Sequence, residues 1–147
     1  MEDETTSVKG GKFMRALKVF HALPMSGFTD EEIRERLAKE DEEIIALFQT
    51  AGIDVMLLYP HMEPLEDEVE LKQLRTPNLY YFGLSLAEGI SKADVVAFGH
   101  NWRTARGCIV EQFITEMYGI KTVELDKEYS PEKLMSIACD AIEREAE

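Results

Sequence analysis

Two short runs leave this chain little choice of architecture. Ile53 to Tyr59 reads IDVMLLY and Ala93 to Gly99 reads ADVVAFG. Both are almost wholly apolar, too short for buried helices, and bounded by Gly52 and Pro60 in the first case and Gly99 in the second. A strand with one wet face alternates apolar and polar side chains, because successive residues point to opposite faces. A strand covered on both faces has no such need, and strands of that kind belong to parallel sheets packed between helices. Each of these runs is therefore expected to be a doubly covered parallel strand.

The intervening segments carry a helical period. Thr29 stands three residues before Glu32, the spacing of a capping box, with acids in the first turn where the helix dipole favours them. Ile33, Leu37, Ile44, Phe48 and Ala51 then trace one stripe that ends at Gly52. Asn78 to Lys92 predicts a second helix despite its glycines, and GCIVEQFITEMY predicts a third that closes at Gly119. Ser130-Pro131 opens a fourth, with Leu134, Ile137, Ala138, Ala141 and Ile142 facing the core. Ala16 to His21 (ALKVFH) reads as the first strand, ended by Pro24 and Gly27, and IKTVEL as the last.

Strands alternating with helices at this spacing predict right-handed crossovers and an α/β fold. The expected form is a flavodoxin-like or Rossmann-like three-layer sandwich around a short parallel sheet of about four to five strands. Residues 1–12 are polar, charged and Gly-containing and read as a flexible leader; residues 13–147 read as one domain. The acidic, weakly periodic segment from His61 to Pro77 is longer than an ordinary β-to-α connection, so it is expected to hold an extra short helix or a loop over a site.

Charge narrows the partners. A net charge of −13 argues against bulk nucleic acid, whose binders carry basic surfaces, yet leaves small anionic ligands open because a helix N-terminus and an arginine act locally. Cys108 and Cys139 fall in helical stretches, and neither a signal peptide nor a long apolar span is visible. The chain reads as a reduced, cytoplasmic protein away from membranes.

Open parallel sheets bind ligands at the carboxyl ends of their strands, where the strand order reverses. That rule brings two segments together: Pro24, Met25, Ser26, Gly27 and Phe28 after the first strand, and His100 to Gly107 after the third, with Glu111 one turn further on. Ser26 and Gly27 suit either a phosphate or ribose cradle or simply a tight turn. Arg106, a cation at a helix start, needs an acceptor, either a ligand phosphate or an ion-pair partner in the protein. Trp102 reads as a base-stacking ring or as a packing plug. His21 and His100 lack a second ligand at metal spacing, so no metal is expected. Asp94 is expected to tie down backbone N–H groups. Tyr80, Tyr81 and Phe82 read as core or as a contact with another copy in a homo-oligomer.

PMSG after the first strand, AD opening the third, and W-x-x-x-R-G-x-x-x-E from Trp102 through Arg106 and Gly107 to Glu111 together resemble the nucleoside 2-deoxyribosyltransferase-like superfamily, and in particular its small phage-borne members. The resemblance runs from Leu17 to Glu124. It implies an N-glycosidase or deoxyribosyltransferase acting on a nucleoside or nucleotide. Glu111 would be the catalytic carboxylate that attacks the anomeric carbon or stabilises its positive charge, kept ionised by its helix end. Pro24 to Phe28, Trp102, Arg106 and Gly107 would bind substrate. The sequence departs from the pattern at Ala105, where similar chains carry a serine or an acid. It also offers Ser85, Leu86 and Glu88 where an acid protonates the departing base, and Glu88 meets that role only with a shift of register. The alternative is a nucleotide-binding or interaction protein of the same fold without turnover. A flavin or dinucleotide cofactor is not expected, since the first loop lacks a Ser/Thr/Gly-rich cradle and no GxGxxG follows the first strand.

Overall fold

A computed structural model describes residues 15–25, 27–59 and 73–144, together with the backbone of 8–9 and 12–13. Ser26 and most of the acidic segment after Pro60 lie outside the described residues. β1 (Val8–Lys9), in the stretch read as a leader, pairs antiparallel with β2 (Lys12–Phe13), which straddles its boundary with the domain.

The domain is a parallel four-stranded sheet with helices on both faces, as the alternation of elements predicts. Its strands are β3 (Leu17–Ala22), β4 (Val55–Leu58), β5 (Val95–Phe98) and β6 (Lys121–Glu124), in the order β4-β3-β5-β6. Val19 lies between Leu57 and Val95, and Val123 pairs Ala97. The helices are α1 (Asp30–Gln49), α2 (Pro77–Glu88), α3 (Arg106–Met117) and α4 (Pro131–Glu143).

Side-chain alternation along the central strands divides the core in two. Leu17, Val19, Val95, Ala97 and Val123 pack with Ile44 and Phe48 of α1 and Leu134, Ile137, Ala138 and Ala141 of α4. Phe20, Ala22, Val96 and Phe98 turn to the other face, where they meet Ile90, Trp102, Ala105 and Cys108. Burying such side chains is worth roughly 1.5–3 kcal/mol each, so the two clusters dominate the stability of the fold.

Two local expectations are met and two are revised. The capping box forms: Glu32 N–H donates to Thr29 Oγ1 at 3.2 Å and Thr29 N–H to Glu32 Oε1 at 2.9 Å. The run IDVMLLY supplies the edge strand of the described sheet, and Met56 stays 46% exposed, so the described residues do not cover it on both faces. The second helix stops at Glu88 instead of reaching Lys92, and Ile90–Lys92 continues as a 3₁₀ turn. The Phe20 ring packs against Gly89 where any Cβ would overlap it, so the backbone turns there to let the aromatic ring in. Asp94 does tie down backbone: it accepts from Lys18 N–H at 2.8 Å and from Arg15 at 2.9 Å.

After β3 the chain moves outward to β4, then crosses back to place β5 on the other side of β3. The carboxyl ends of β3 and β5 are thus the topological switch point, the usual place for a ligand in such sheets.

Candidate active site

A crevice of about 920 Å³ opens at that switch point. Its floor is the end of β3 (Phe20, His21, Ala22) and the residues that follow, Leu23 and Met25. One wall is α2, with Thr76, Asn78, Tyr81, Phe82 and Ser85; the other is Thr104 to Cys108 and then Val110 and Glu111 of α3. The size falls within the roughly 300–1,000 Å³ of small-molecule pockets.

The helix α3 is turned against its own amphipathicity. Its buried residues are Cys108, Glu111 and Thr115, while Ile109, Val110, Phe113 and Met117 remain 40–68% exposed. Cys108 packs into the second core cluster on that face and Thr115 is fully buried, so Glu111 is carried inward with them. Its side chain is 7% exposed, lines the crevice, and makes no hydrogen bond or ion pair with the described residues. Burial pushes its carboxyl up from 4.5 to about 7. The expectation that the helix end keeps Glu111 ionised is therefore corrected: it stands five residues beyond Arg106, past the turn in which the dipole and free N–H groups act.

Arg106 opens α3 at the crevice, exposed and without a hydrogen bond or ion pair among the described residues, Glu111 included. The N-cap of α3 is Ala105, which has no capping oxygen, and Thr76 at the start of α2 makes no side-chain cap bond either. By contrast Thr29 and Ser130 cap α1 and α4. The starts of two helices without side-chain caps thus border the same space as Arg106, an arrangement that suits an anion. Gly107 lines the crevice too, and a Cβ on it would meet nothing closer than Phe82 at 3.9 Å.

Of the residues singled out in the sequence, Met25, Arg106, Gly107 and Glu111 come together in the crevice. Pro24 is buried beside it, Gly27 forms the turn with φ +86°, and Phe28 lies under the Arg36 guanidinium at 5.3 Å; none of these three lines it. Trp102 is not on the crevice either. Its ring packs on Phe98 at 4.8 Å and its indole N–H donates to Glu124 at 2.8 Å, so the packing role prevails over base stacking. Glu88 pairs with Lys92 at 2.8 Å and is not part of the lining, whereas Ser85, Tyr81 and Phe82 are.

Sequence reasoning missed a buried network directly behind the floor. His21 Nδ1 faces Asp41 Oδ1 at 2.9 Å and Nε2 faces Glu40 Oε1 at 3.0 Å. Arg36 donates to Glu40 at 2.8 Å and to the His100 carbonyl, and Tyr59 O–H donates to Asp41 at 2.8 Å. Burial raises the Glu40 carboxyl, but the bonds from His21 and Arg36 outweigh it and hold the group below its ordinary value. Gly99 is required here, since a Cβ would overlap Glu40 Oε1. The signal was a gap in the α1 stripe: positions 40 and 41, between Leu37 and Ile44, are acids on the buried face. His100 lies close by, with Nδ1 at 2.6 Å from Asp126 and Nε2 at 3.2 Å from Glu43. Among the described residues no group of three or more His, Cys, Asp or Glu is arranged to hold a metal ion, and no helix is long and apolar enough to cross a membrane.

Comparison with protein-family models, with curated proteins and with solved structures finds no match to this chain.

Proposed function

We propose that the chain cleaves the bond between base and sugar in a nucleoside or nucleotide, as an N-glycosidic bond hydrolase or pentosyltransferase in which Glu111 is the catalytic carboxylate. The observation that carries this reading is the inverted α3, which buries an unpartnered carboxyl in the crevice and leaves Phe113 outside. The W-x-x-x-R-G-x-x-x-E pattern and its resemblance to the deoxyribosyltransferase-like proteins point the same way. As an anion Glu111 attacks or stabilises the anomeric carbon as positive charge develops there. Arg106 and the N-terminus of α3 hold the sugar or its phosphate.

Incubation with ribo- and deoxynucleosides and their 5′-monophosphates, followed by chromatography for free base, tests the proposal. Base release that disappears in Glu111→Ala is expected; unchanged release would remove Glu111 from the mechanism. Arg106→Ala should weaken a monophosphate far more than its nucleoside, and equal loss would make the arginine structural. A binding module without turnover is favoured by Ala105, which leaves α3 without a capping or orienting side chain. Saturable nucleotide binding with no base released from any compound would establish that second reading.

A further inference from the structure

The loop between β5 and α3 is held from outside the crevice by a histidine with an acid on each ring nitrogen. His100 stands at its start. Nδ1 lies 2.6 Å from Asp126 Oδ1, beyond β6, and Nε2 lies 3.2 Å from each Glu43 oxygen, on α1. Asp126 also accepts the N–H of Asn101 at 2.9 Å, and Asn101 has the left-handed φ of +60° with which the chain turns into Trp102–Thr104. Thr104, Ala105 and Arg106 then form part of the crevice wall. A line of contacts thus runs from α1 through Glu43, His100 and Asp126 to the backbone that leads into that wall.

Both ring contacts hold only while the imidazole carries two protons, because a neutral ring donates through one nitrogen and presents a lone pair at the other. The distances decide which contact fails. Nδ1 sits close to a single Asp126 oxygen, whereas Nε2 is shared at longer range between two Glu43 oxygens. The remaining proton therefore stays on Nδ1, and the lone pair is turned on Glu43. The surroundings favour the protonated ring: Asp126 raises its midpoint above the ordinary 6.5, burial opposes this, and Glu43 and Glu40 add to it. Of the described cations nearby, Arg36 donates to the His100 carbonyl and Arg103 acts on Asp126.

We propose that His100 is a proton-operated latch between α1 and the β5–α3 loop, closed on Glu43 while Nε2 carries its proton and released when that proton leaves. As regulation of the crevice, the latch rests on the glycosidase reading above. The folded ring titrates above its unfolded value, so the latch is fully closed below about pH 6.5 and opens as pH rises through the raised midpoint. The His100 and Glu43 side chains are 38% and 39% exposed, which limits the effect of closure to about two- to fivefold in the equilibrium that holds the loop.

Nitrogen-15 NMR of the histidine rings reads the tautomer. Hydrogen exchange at the Thr104 and Ala105 amides, which bond to Asn101 and Trp102 carbonyls, reads the loop once the intrinsic pH dependence of exchange is divided out. Neutral His100 should keep its proton on Nδ1, and protection of the two amides should fall about two- to fivefold across the same midpoint. In Glu43→Gln the side-chain amide accepts from Nε2–H or, turned over, donates to its lone pair, so the latch stays closed in either state and the step should vanish. Unchanged protection in the wild type, a step that survives in Glu43→Gln, or a proton retained on Nε2 would each overturn the latch. Base release by the two proteins over the same range tests its reach, and their ratio at each pH divides out the titration of Glu111. KM for a nucleoside 5′-monophosphate should be equal below the midpoint and about two- to fivefold lower in Glu43→Gln above it. A flat ratio would overturn the regulation and leave the glycosidase reading standing. No base released from any compound, with the exchange step intact, would remove the glycosidase reading and leave the latch.

Discussion

Replacing Glu111 by glutamine should stabilise the protein while abolishing base release, and the gain should depend on pH. In the unfolded chain the carboxyl titrates at its ordinary value near 4.5, whereas burial in the crevice raises it to about 7. The folded state therefore holds the proton more tightly than the unfolded state. Below about pH 4.5 both states are protonated and the group costs nothing. Between 4.5 and 7 the unfolded chain ionises first and stability falls; above 7 both are ionised and the cost is constant. At about 1.4 kcal/mol per pH unit, the interval corresponds to about 3 kcal/mol. The side chain is only 7% exposed, so solvent screening removes little of this. A glutamine amide in the same place loses about 1 kcal/mol for its own unmet hydrogen bonds, leaving a net gain of about 2 kcal/mol. For a chain of this size that is about 4–8 °C in Tm. Urea unfolding of wild type and Glu111→Gln at pH 5 and pH 8 measures it. A gain equal at both pH values, or none at pH 8, would refute the account of Glu111 as a buried, unpartnered carboxyl.

Other perturbations probe the frame around the crevice. Gly99→Ala forces a methyl into Glu40 and to 3.2 Å from His21 Nε2, and should cost about 3 kcal/mol by prising apart buried charges; Gly107→Ala, with 3.9 Å of clearance, is the control that should fold normally in the same denaturation assay. His100 titrates above 6.5, chiefly through its bond to Asp126; burial opposes this, and Glu43 and Glu40 reinforce it. The stability from this clamp should be complete below pH 6.5 and fade as pH rises through the raised value. Histidine NMR titration should show that midpoint return toward 6.5 in Asp126→Asn. Ala105→Ser gives α3 an N-cap and should add about 1 kcal/mol. If a hydroxyl there also orients Glu111 or holds phosphate, base release should rise; a stability gain without it would assign the position to capping alone.

The sheet was legible because its residues obey simple rules. VVAF alternates between two helix layers, Thr29 and Glu32 cap as spaced, and the position of the crevice follows from strand order alone. What escaped the sequence lies where local rules are broken by distant groups. The end of α2 at Gly89 depends on Phe20, a ring 69 positions earlier that no window around the helix contains. Trp102 went to the core because Glu124, 22 residues away, offers its N–H an acceptor. Acids in a helix ordinarily face water, so Glu40 and Asp41 looked like solvent positions until His21 supplied a reason to bury them.

The same reasoning separates the buried acids of this fold. Glu40 and Asp41 are buried with His21, Arg36 and Tyr59 around them, so their charges are answered within the protein and the network braces β3 to α1 and, through the His100 carbonyl, to the loop leading into α3. Glu111 is buried to a similar degree and answered by no described residue. Glu124 is likewise buried and answered, by the Trp102 indole, Arg103 and Lys127, which leaves Glu111 as the exception among the described buried acids. Phe113, two residues further along α3, is 60% exposed while Glu111 is buried. On the glycosidase proposal that difference is what a catalytic acid requires: among the described residues Glu111 is left unanswered, and it borders the crevice at the switch point.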